Sequence, residues 1–253
     1  MFMRLVQLNV EMKRINEFRE TYNKDIIGRL EKMPGCRFVG LIESGAEESE
    51  FISLTLWDTQ EQAESYEKGG VYEELLGKIR SYLQNASEWK IQLSENLELE
   101  YKPVDEEPVI KKYSVQVQAD SHAAGNIDSR LYVRIVSLSV QDGKEDEFKQ
   151  IYTEEIIPAL LSTEGCRYAY LTRSVQDSDN FISVTIWDSK GDADLYESSG
   201  KFNELVDKVS HTFSQFYRWK MALEKDYDAN IKTTEDLKVD RYNLVTGKTF
   251  TSR

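Results

Sequence analysis

The stretch FISLTLWD, residues 51–58, returns almost unchanged as FISVTIWD at residues 181–188. Shifting the chain against itself by 130 positions pairs residues 1–95 with 131–225 without a gap, and 31 of the 95 pairs are identical. This period is longer than the roughly 20–50 residues of a solenoid unit. The sequence therefore predicts a duplicated domain whose two copies share one fold.

Hydrophobic periodicity gives the order of elements within each copy. Alternating apolar residues predict strands, and apolar residues spaced by three or four predict helices. In the first copy these patterns predict strands at 3–11, 36–43, 51–57 and within 89–101, and helices at 13–32, 60–67 and 72–83. Asp58 and Thr59 are suited to cap the second of these helices. The resulting order, βαββαβ, is the ferredoxin-like α+β arrangement, so we expect two tandem domains of this kind.

Domain boundaries follow from the repeat and from a polar, proline-containing segment between the copies. We expect a first domain over 1–101, a linker or extended arm over 102–130, a second domain over 131–231 and a C-terminal extended arm over 232–253. KKYSVQV at 111–117 is echoed by DRYNLVT at 240–246, one residue out of register with the repeat. This echo favours ordered arms that reach across to the other half over free chain.

The amino-acid composition limits the kinds of partner and compartment that we expect for this protein. A formal net charge of −13 argues against nucleic acid or an anionic membrane, because both repel an acidic surface. No apolar run approaches the roughly 18 residues of a membrane span, and MFMRLVQLNV at the start lacks a signal-peptide cleavage site. Two cysteines cannot build a disulfide framework, which favours a reducing cytoplasm. Without metal-ligand spacing or a glycine-rich phosphate loop, we expect neither a metal nor a cofactor.

The third strand carries two different faces, because side chains alternate along a strand. Ile52, Leu54 and Leu56 form an aliphatic face that we expect to pack under the helices. The face of 51, 53, 55 and 57 mixes rings with hydroxyls and is too apolar for open water. Two copies can cover each other, so we expect the two sheets to face one another and enclose a semi-polar cavity.

Several features of the repeat resemble the antibiotic biosynthesis monooxygenase (ABM) domain of the dimeric α+β barrel superfamily. They are the βαββαβ order, the Pro-Gly-Cys turn into the second strand, the strand ending in Trp-Asp and the Tyr-Glu-x-x-Gly that follows. The resemblance covers about 1–100 and 131–230. It implies an intramolecular dimeric barrel and a family that includes cofactor-free oxygenases of quinols and anthrones, haem-degrading enzymes and members without an assigned reaction.

The family's substrate-holding residues carry over only in part. The tryptophan of the family motif matches Trp57 and Trp187. Cofactor-free members carry an asparagine four residues earlier that helps to hold the substrate, and here that position is Ser53 and Ser183. A serine donates one hydrogen bond but does not replace the paired donor and acceptor of an amide.

Haem degradation by the family's known arrangement does not carry over. The histidine that ligates iron in haem-degrading members corresponds to Leu76 and Val206, and neither side chain binds iron. The asparagine on the first strand of those members has a match in Asn9, but the second copy has Ser139 there.

The pocket candidates lie on the first strand, the third strand and the last helix. They are Trp57, Ser53, Thr55, Asn9, Trp187, Ser183, Thr185 and His211. A structural role stays open for each, because a tryptophan can close a barrel core and strand hydroxyls are often satisfied by neighbours. His211 has Ser81 as its counterpart, so the two halves cannot share a histidine base. No catalytic residue is assigned from the sequence.

Other repeated polar residues favour structural roles. We expect core positions for Tyr22, Tyr152, Tyr66 and Tyr196, small buried thiols at Cys36 and Cys166, and ordinary ion pairs at Arg37 and Arg167.

Two functions stay open at this point. The resemblance implies a cofactor-independent monooxygenase acting on a small electron-rich aromatic such as a quinol or an anthrone. The alternative is a non-catalytic small-molecule-binding or stress-associated protein that kept the barrel and lost the chemistry. In both cases we expect an intramolecular pseudo-dimer, with room for a further homo-oligomer through exposed strand edges.

Overall fold

A computed structural model describes residues 1–45, 48–93, 99–105, 109–120, 131–175, 179–214 and 237–249. The strands of the first repeat are β1 (Phe2–Asn9), β2 (Cys36–Ser44), β3 (Glu50–Trp57), β4 (Asn85–Leu93), β5 (Leu99–Asp105) and β6 (Val109–Asp120). Its helices are α1 (Ile15–Thr21), α2 (Gly28–Leu30), α3 (Gln60–Lys68) and α4 (Val71–Ile79).

The second repeat follows the same plan 130 residues further on. Its described strands are β7 (Tyr132–Ser139), β8 (Cys166–Ser174), β9 (Asn180–Trp187) and β10 (Leu237–Thr249). Its helices are α5 (Glu145–Ile151), α6 (Ile157–Leu161), α7 (Lys190–Ser198) and α8 (Lys201–Val209).

Eight strands close into one antiparallel barrel in the order β1-β3-β2-β10-β7-β9-β8-β6. Each repeat contributes a ferredoxin-like sheet, β6-β1-β3-β2 in the first and β10-β7-β9-β8 in the second. The repeats join where β2 pairs with β10 and where β8 pairs with β6. This confirms the predicted fold class, two ferredoxin-like domains forming an intramolecular dimeric barrel.

The two joining strands occupy equivalent places despite their one-residue offset in sequence. Tyr113 lies opposite Met3 on β1 and Ser174 on β8. Tyr242 lies opposite Val133 on β7 and Ser44 on β2. The register of each joining strand shifts once, between residues 115 and 117 in β6 and between residues 244 and 246 in β10. The echoed motifs at 111–117 and 240–246 are therefore the strands that close the barrel.

The prediction that the last strand of the sheet lies within 89–101 is wrong. Strands β4 and β5 pair with each other in a separate two-stranded sheet, and β6 takes the fourth place in the barrel. The corresponding segment of the second repeat, 215–235, lies outside the described residues. Each barrel strand has a neighbour on both sides, so the barrel lacks the exposed edges expected for further pairing. The domain boundaries themselves stay a prediction.

The faces of the third strand are the reverse of what we expected. Ile52, Leu54 and Leu56 point into the barrel, where they meet aliphatic side chains of the other repeat such as Val133 and Ile182. An eight-stranded barrel is just wide enough for side chains to fill, which suits close packing of aliphatic groups. The face with rings and hydroxyls lies under the helices of its own repeat instead.

The chain between β1 and β2 is helical but not uniform. A π-helical turn, Tyr22–Ile27, separates α1 from α2, and the second repeat has its own at Tyr152–Ile156. Such turns are rare and are found frequently at functional sites. In both repeats the turn begins with a buried tyrosine that points toward β3 or β9.

At α3 the expected cap is Thr59, whose hydroxyl accepts from the N–H of Gln62.

The shared interior predicts a large cost for shortening one of its side chains. Leu54 is 3% exposed and contacts the interior cluster, so Leu54→Ala is expected to lower the free energy of unfolding by about 2–5 kcal/mol. Leu195→Ala is the matched control, because Leu195 is 64% exposed and its loss should change stability by less than about 0.5 kcal/mol. Denaturant unfolding measures both, and equal effects would contradict the interior placement.

Candidate functional site

Each repeat holds a cavity between its sheet and its helices. The polar and aromatic lining of the first cavity is Arg4, Tyr22, Ser53, Thr55, Tyr66 and Tyr72. The second cavity has Arg134, Tyr152, Ser183, Thr185, Tyr196 and Phe202 at the equivalent places. Aliphatic side chains complete the first wall, and aliphatic side chains with Phe148 and Phe213 complete the second. Leu76 and Val206, the residues at the haem-ligand position of the family, are among them.

Both cavities are small. The space open to the centre of a water-sized sphere is about 30 Å³ in the first cavity and about 50 Å³ in the second. At roughly 10–15 Å³ for each water, this is room for a few waters, so a single aromatic ring fits only if lining side chains shift. A molecule of several fused rings requires a larger shift still.

A tyrosine and a serine hydroxyl meet at each cavity wall. The oxygens of Tyr22 and Ser53 lie 2.6 Å apart, and those of Tyr152 and Ser183 lie 2.5 Å apart. Burial raises the pKa of Tyr22, and it raises the pKa of Tyr152 to about 12 against the opposing hydrogen bond of its serine. Both phenols therefore stay protonated near neutral pH and can act as hydrogen-bond donors.

The tryptophan of each repeat is fixed by a hydrogen bond and is not among the residues that line the cavity. The indole N–H of Trp57 donates to the Thr55 hydroxyl over 3.0 Å, and that hydroxyl donates to the backbone carbonyl of Arg4. The ring lies 5.2 Å from that of Tyr66, nearly parallel. Trp187 and Thr185 repeat the arrangement. The tryptophans thus support the tyrosine wall from behind, and ligand contact by Ser53, Thr55, Ser183 and Thr185 stays a prediction.

A buried arginine completes each cavity and was not among the predicted site residues. Arg4 and Arg134 are each 2% exposed. Arg4 stacks on Tyr72, with its guanidinium carbon 4.3 Å from the ring centre, and Arg134 stacks on Phe202 at 4.1 Å. The sequence contained a signal, since an arginine recurs at the same position among the apolar residues of the first strand in both repeats.

Two predicted pocket residues lie away from the cavities. Asn9 is half-buried at the end of β1, opposite Glu50, and is not part of the first cavity's lining. His211 lies on the surface, in the turn after α8, where its Nε2 is 2.9 Å from the Glu147 carboxylate. This carboxylate also accepts from Lys144, which is the larger cause of its lowered pKa.

The arginines and cysteines expected to be structural are found in structural settings, whereas the four tyrosines expected in the core are buried but also line the cavities. Arg37 forms an ion pair with Asp58 over 2.5 Å, and Arg167 pairs with Asp188 in the same way. Cys36 is buried, and burial raises the pKa of its thiol to about 12. The same cause raises the pKa of Cys166 to about 12.

The described residues give two further findings. They contain no group of three or more His, Cys, Asp or Glu side chains placed to hold a metal ion. Among them, no helix is both long and apolar enough to cross a membrane.

Fold and cavities together define a duplicated ferredoxin-like barrel with a ring-lined cavity under the helices of each half. The family model for antibiotic biosynthesis monooxygenase matches residues 1–76 and 131–208, so the chain belongs to the ABM family as two tandem copies. No curated protein is close enough in sequence to count as a match.

Solved structures share the whole architecture at low sequence identity. A "putative monooxygenase" of Fusobacterium nucleatum superposes with a TM-score of 0.68 at 8% identity, over 100% of this chain and 95% of its own. A second "putative monooxygenase", from Lactobacillus acidophilus, gives 0.67 at 8% identity, over 98% and 95%. An anthrone oxidase-like protein gives 0.53 at 13% identity, over 98% and 92%. At these identities the likeness is one of fold.

The hydroxyl pair predicts coupling between its two members. Tyr22→Phe and Ser53→Ala each leave one buried polar group without its partner, and each should lower the free energy of unfolding by about 1–3 kcal/mol. The double variant should cost less than the sum, because it removes both groups together. Denaturant unfolding of the four proteins measures the difference, and strictly additive losses would show that the 2.6 Å contact contributes nothing.

The buried thiols predict a loss of stability in alkali. Each folded thiol has a pKa of about 12 against an ordinary 9.0, so the unfolded chain loses these protons first as the pH rises. The unfolded state is then favoured, and the free energy of unfolding should fall progressively from about pH 9 toward about pH 12. Cys36→Ala/Cys166→Ala should flatten this fall, and an unchanged slope would assign it to other groups.

Proposed function

We propose that the protein is a cofactor-independent monooxygenase of the ABM type that acts on small, single-ring phenols of the quinol class. The family places the chain among monooxygenase-like proteins. The substrate class comes from the cavities, whose walls combine aromatic rings, a hydroxyl pair and a cation. Their small volume favours one ring over the three fused rings of an anthrone.

The observation that carries the proposal is the buried arginine of the first cavity, Arg4. A cation beside a phenol favours its deprotonated form, because opposite charges attract strongly where water is excluded. A phenolate gives an electron to molecular oxygen far more readily than the neutral phenol does. Arg4 is therefore assigned to stabilise the substrate anion, and the tyrosine–serine pairs to orient the bound ring by hydrogen bonds.

The reaction can be written in balance for a quinol with an open ring position. One atom of molecular oxygen is inserted at a ring carbon, and the ring gives up two hydrogen atoms. The product is a hydroxyquinone, and the second oxygen atom leaves as water. The quinol supplies the electrons, so this stoichiometry needs no external reductant.

Oxygen insertion tests the proposal directly. Purified protein, a single-ring quinol and oxygen-18 gas should give a hydroxyquinone carrying one heavy oxygen atom, measured by mass spectrometry. Uncatalysed oxidation by air gives the quinone without insertion, so the label separates the two. Arg4→Met/Arg134→Met should slow insertion by about 10²-fold, the loss expected when a charge-stabilising group is removed.

Two further variants make the result specific. Arg29→Met is the charge control, because Arg29 lies on the surface with its nearest carboxylate 3.9 Å away at Glu74. Trp57→Phe/Trp187→Phe should slow insertion less than loss of the arginines, since the tryptophans act through the tyrosine wall. No insertion above the uncatalysed rate with any single-ring quinol would contradict the proposal.

The second candidate is a non-catalytic small-molecule-binding protein, including a stress-associated one. The observation that favours it is that each tyrosine and serine hydroxyl already satisfies the other inside a small cavity. Ligand binding without oxygen insertion would decide for this candidate. Both candidates fit a cytoplasmic protein whose thiols stay reduced, and we propose that compartment, with the pseudo-dimer as the working unit.

A further inference from the structure

We infer that the two cavities bind different ionisation states of their ligand: the first cavity takes a phenolate, and the second takes a neutral ring. The difference follows from how the two buried arginines are partnered. It rests on the proposed role of the cavities as ligand sites, but it does not require turnover.

In the second cavity the arginine is already neutralised. Nε of Arg134 donates to the Glu197 carboxylate over 2.6 Å, and of its fully buried nitrogens Nη2 alone has no hydrogen-bond partner among the described residues. Arg134 and Glu197 thus form a partly buried ion pair, with the side chains 3% and 22% exposed. An anion that enters this cavity meets a cation whose charge is already compensated.

In the first cavity the arginine keeps its charge available. Within the described part of the chain, both Nε and Nη2 of Arg4 are buried and lack a hydrogen-bond partner. The residue equivalent to Glu197 is Glu67, and its carboxylate does not accept from Arg4 Nε. Burying a guanidinium without an acceptor is costly, and a bound anion offsets that cost.

One sequence difference lies directly against the two arginines. Tyr72 of the first repeat is replaced by Phe202 in the second. Burial raises the pKa of the Tyr72 phenol, whereas the charge of Arg4 and a hydrogen bond from it act in the opposite direction. Tyr72 thus offers Arg4 a hydroxyl beside its ring face, whereas Phe202 offers Arg134 a ring face alone.

The ligand class follows from the donors. Two unpaired N–H groups of Arg4, beside the protonated Tyr22 hydroxyl, suit a single negatively charged oxygen on a flat ring. The rings of Tyr66 and Tyr72 flank the same guanidinium and provide apolar walls for such a ring. A phenolate of one ring meets both requirements and needs the smallest enlargement of the cavity.

The test uses 4-nitrophenol under nitrogen, because its phenolate is yellow, its neutral form is colourless and neither is oxidised. At a slightly acidic pH, where the free probe is mainly neutral, wild-type protein should generate the yellow phenolate with one equivalent bound per chain. Arg4→Met should weaken this binding by about tenfold to a hundredfold, the loss of a charge-assisted hydrogen bond to a buried group. Arg134→Met and the surface control Arg29→Met should leave the yellow species unchanged.

A gain of function makes the test independent of any folding defect in Arg4→Met. Glu197→Gln removes the carboxylate that compensates Arg134, so the variant should bind two phenolates per chain instead of one. A wild-type protein that yields no phenolate, or two, would overturn the inference. So would a folded Arg4→Met variant, checked by thermal unfolding, that binds phenolate as the wild type does.

The outcome is separable from that of the proposed function. Phenolate binding as expected, without oxygen insertion into quinols, contradicts the oxygenase and leaves the inference standing. Oxygen insertion together with phenolate binding that ignores Arg4 contradicts the inference and leaves the oxygenase standing.

Discussion

The narrow interior of the eight-stranded barrel is the constraint on which the rest of the structure depends. Aliphatic side chains from both repeats fill it, and the strands β6 and β10 close it by pairing with both repeats. Side chains alternate along each strand, so each residue that does not point into the barrel points toward the helices. Rings, hydroxyls and the two arginines are therefore collected under the helices, where the interior packing fixes their positions.

Duplication within one chain removes a restriction that a symmetric dimer imposes. In a homodimer, a substitution at one site appears at both. Here the barrel core and the hydroxyl pairs are kept in both repeats, while Tyr72 and Phe202 differ. The surroundings of Arg4 and Arg134 differ with them, although the arginines occupy the same place on β1 and β7. One closed core thus supports two sites that are free to diverge.

The sequence predicted the repeat, the order of elements and the cap at Thr59 because each is a local pattern. It could not predict which face of β3 lies inside, since both faces are buried and alternation is the same either way. The alternation at 89–101 likewise predicts a strand but not its partner, and it belongs to a separate hairpin. Arg4 stands in an otherwise apolar stretch of the first strand, and its recurrence as Arg134 is the signal that the sequence offers for a shared role.

Burying the charge of Arg4 costs more free energy than burying that of Arg134, because Arg4 Nε has no acceptor among the described residues. Stacking on Tyr72 and Tyr66 lets the guanidinium face ring electrons, which offsets part of the cost of burying its charge. Stacking acts on the flat face, however, and the N–H groups lie in the plane, so Nε and Nη2 still lack an acceptor. In the second repeat Glu197 supplies one within the chain. In the first repeat, Nε and Nη2 of Arg4 can donate to an acceptor on a bound ligand. This property is expected of a binding site rather than of a packed core.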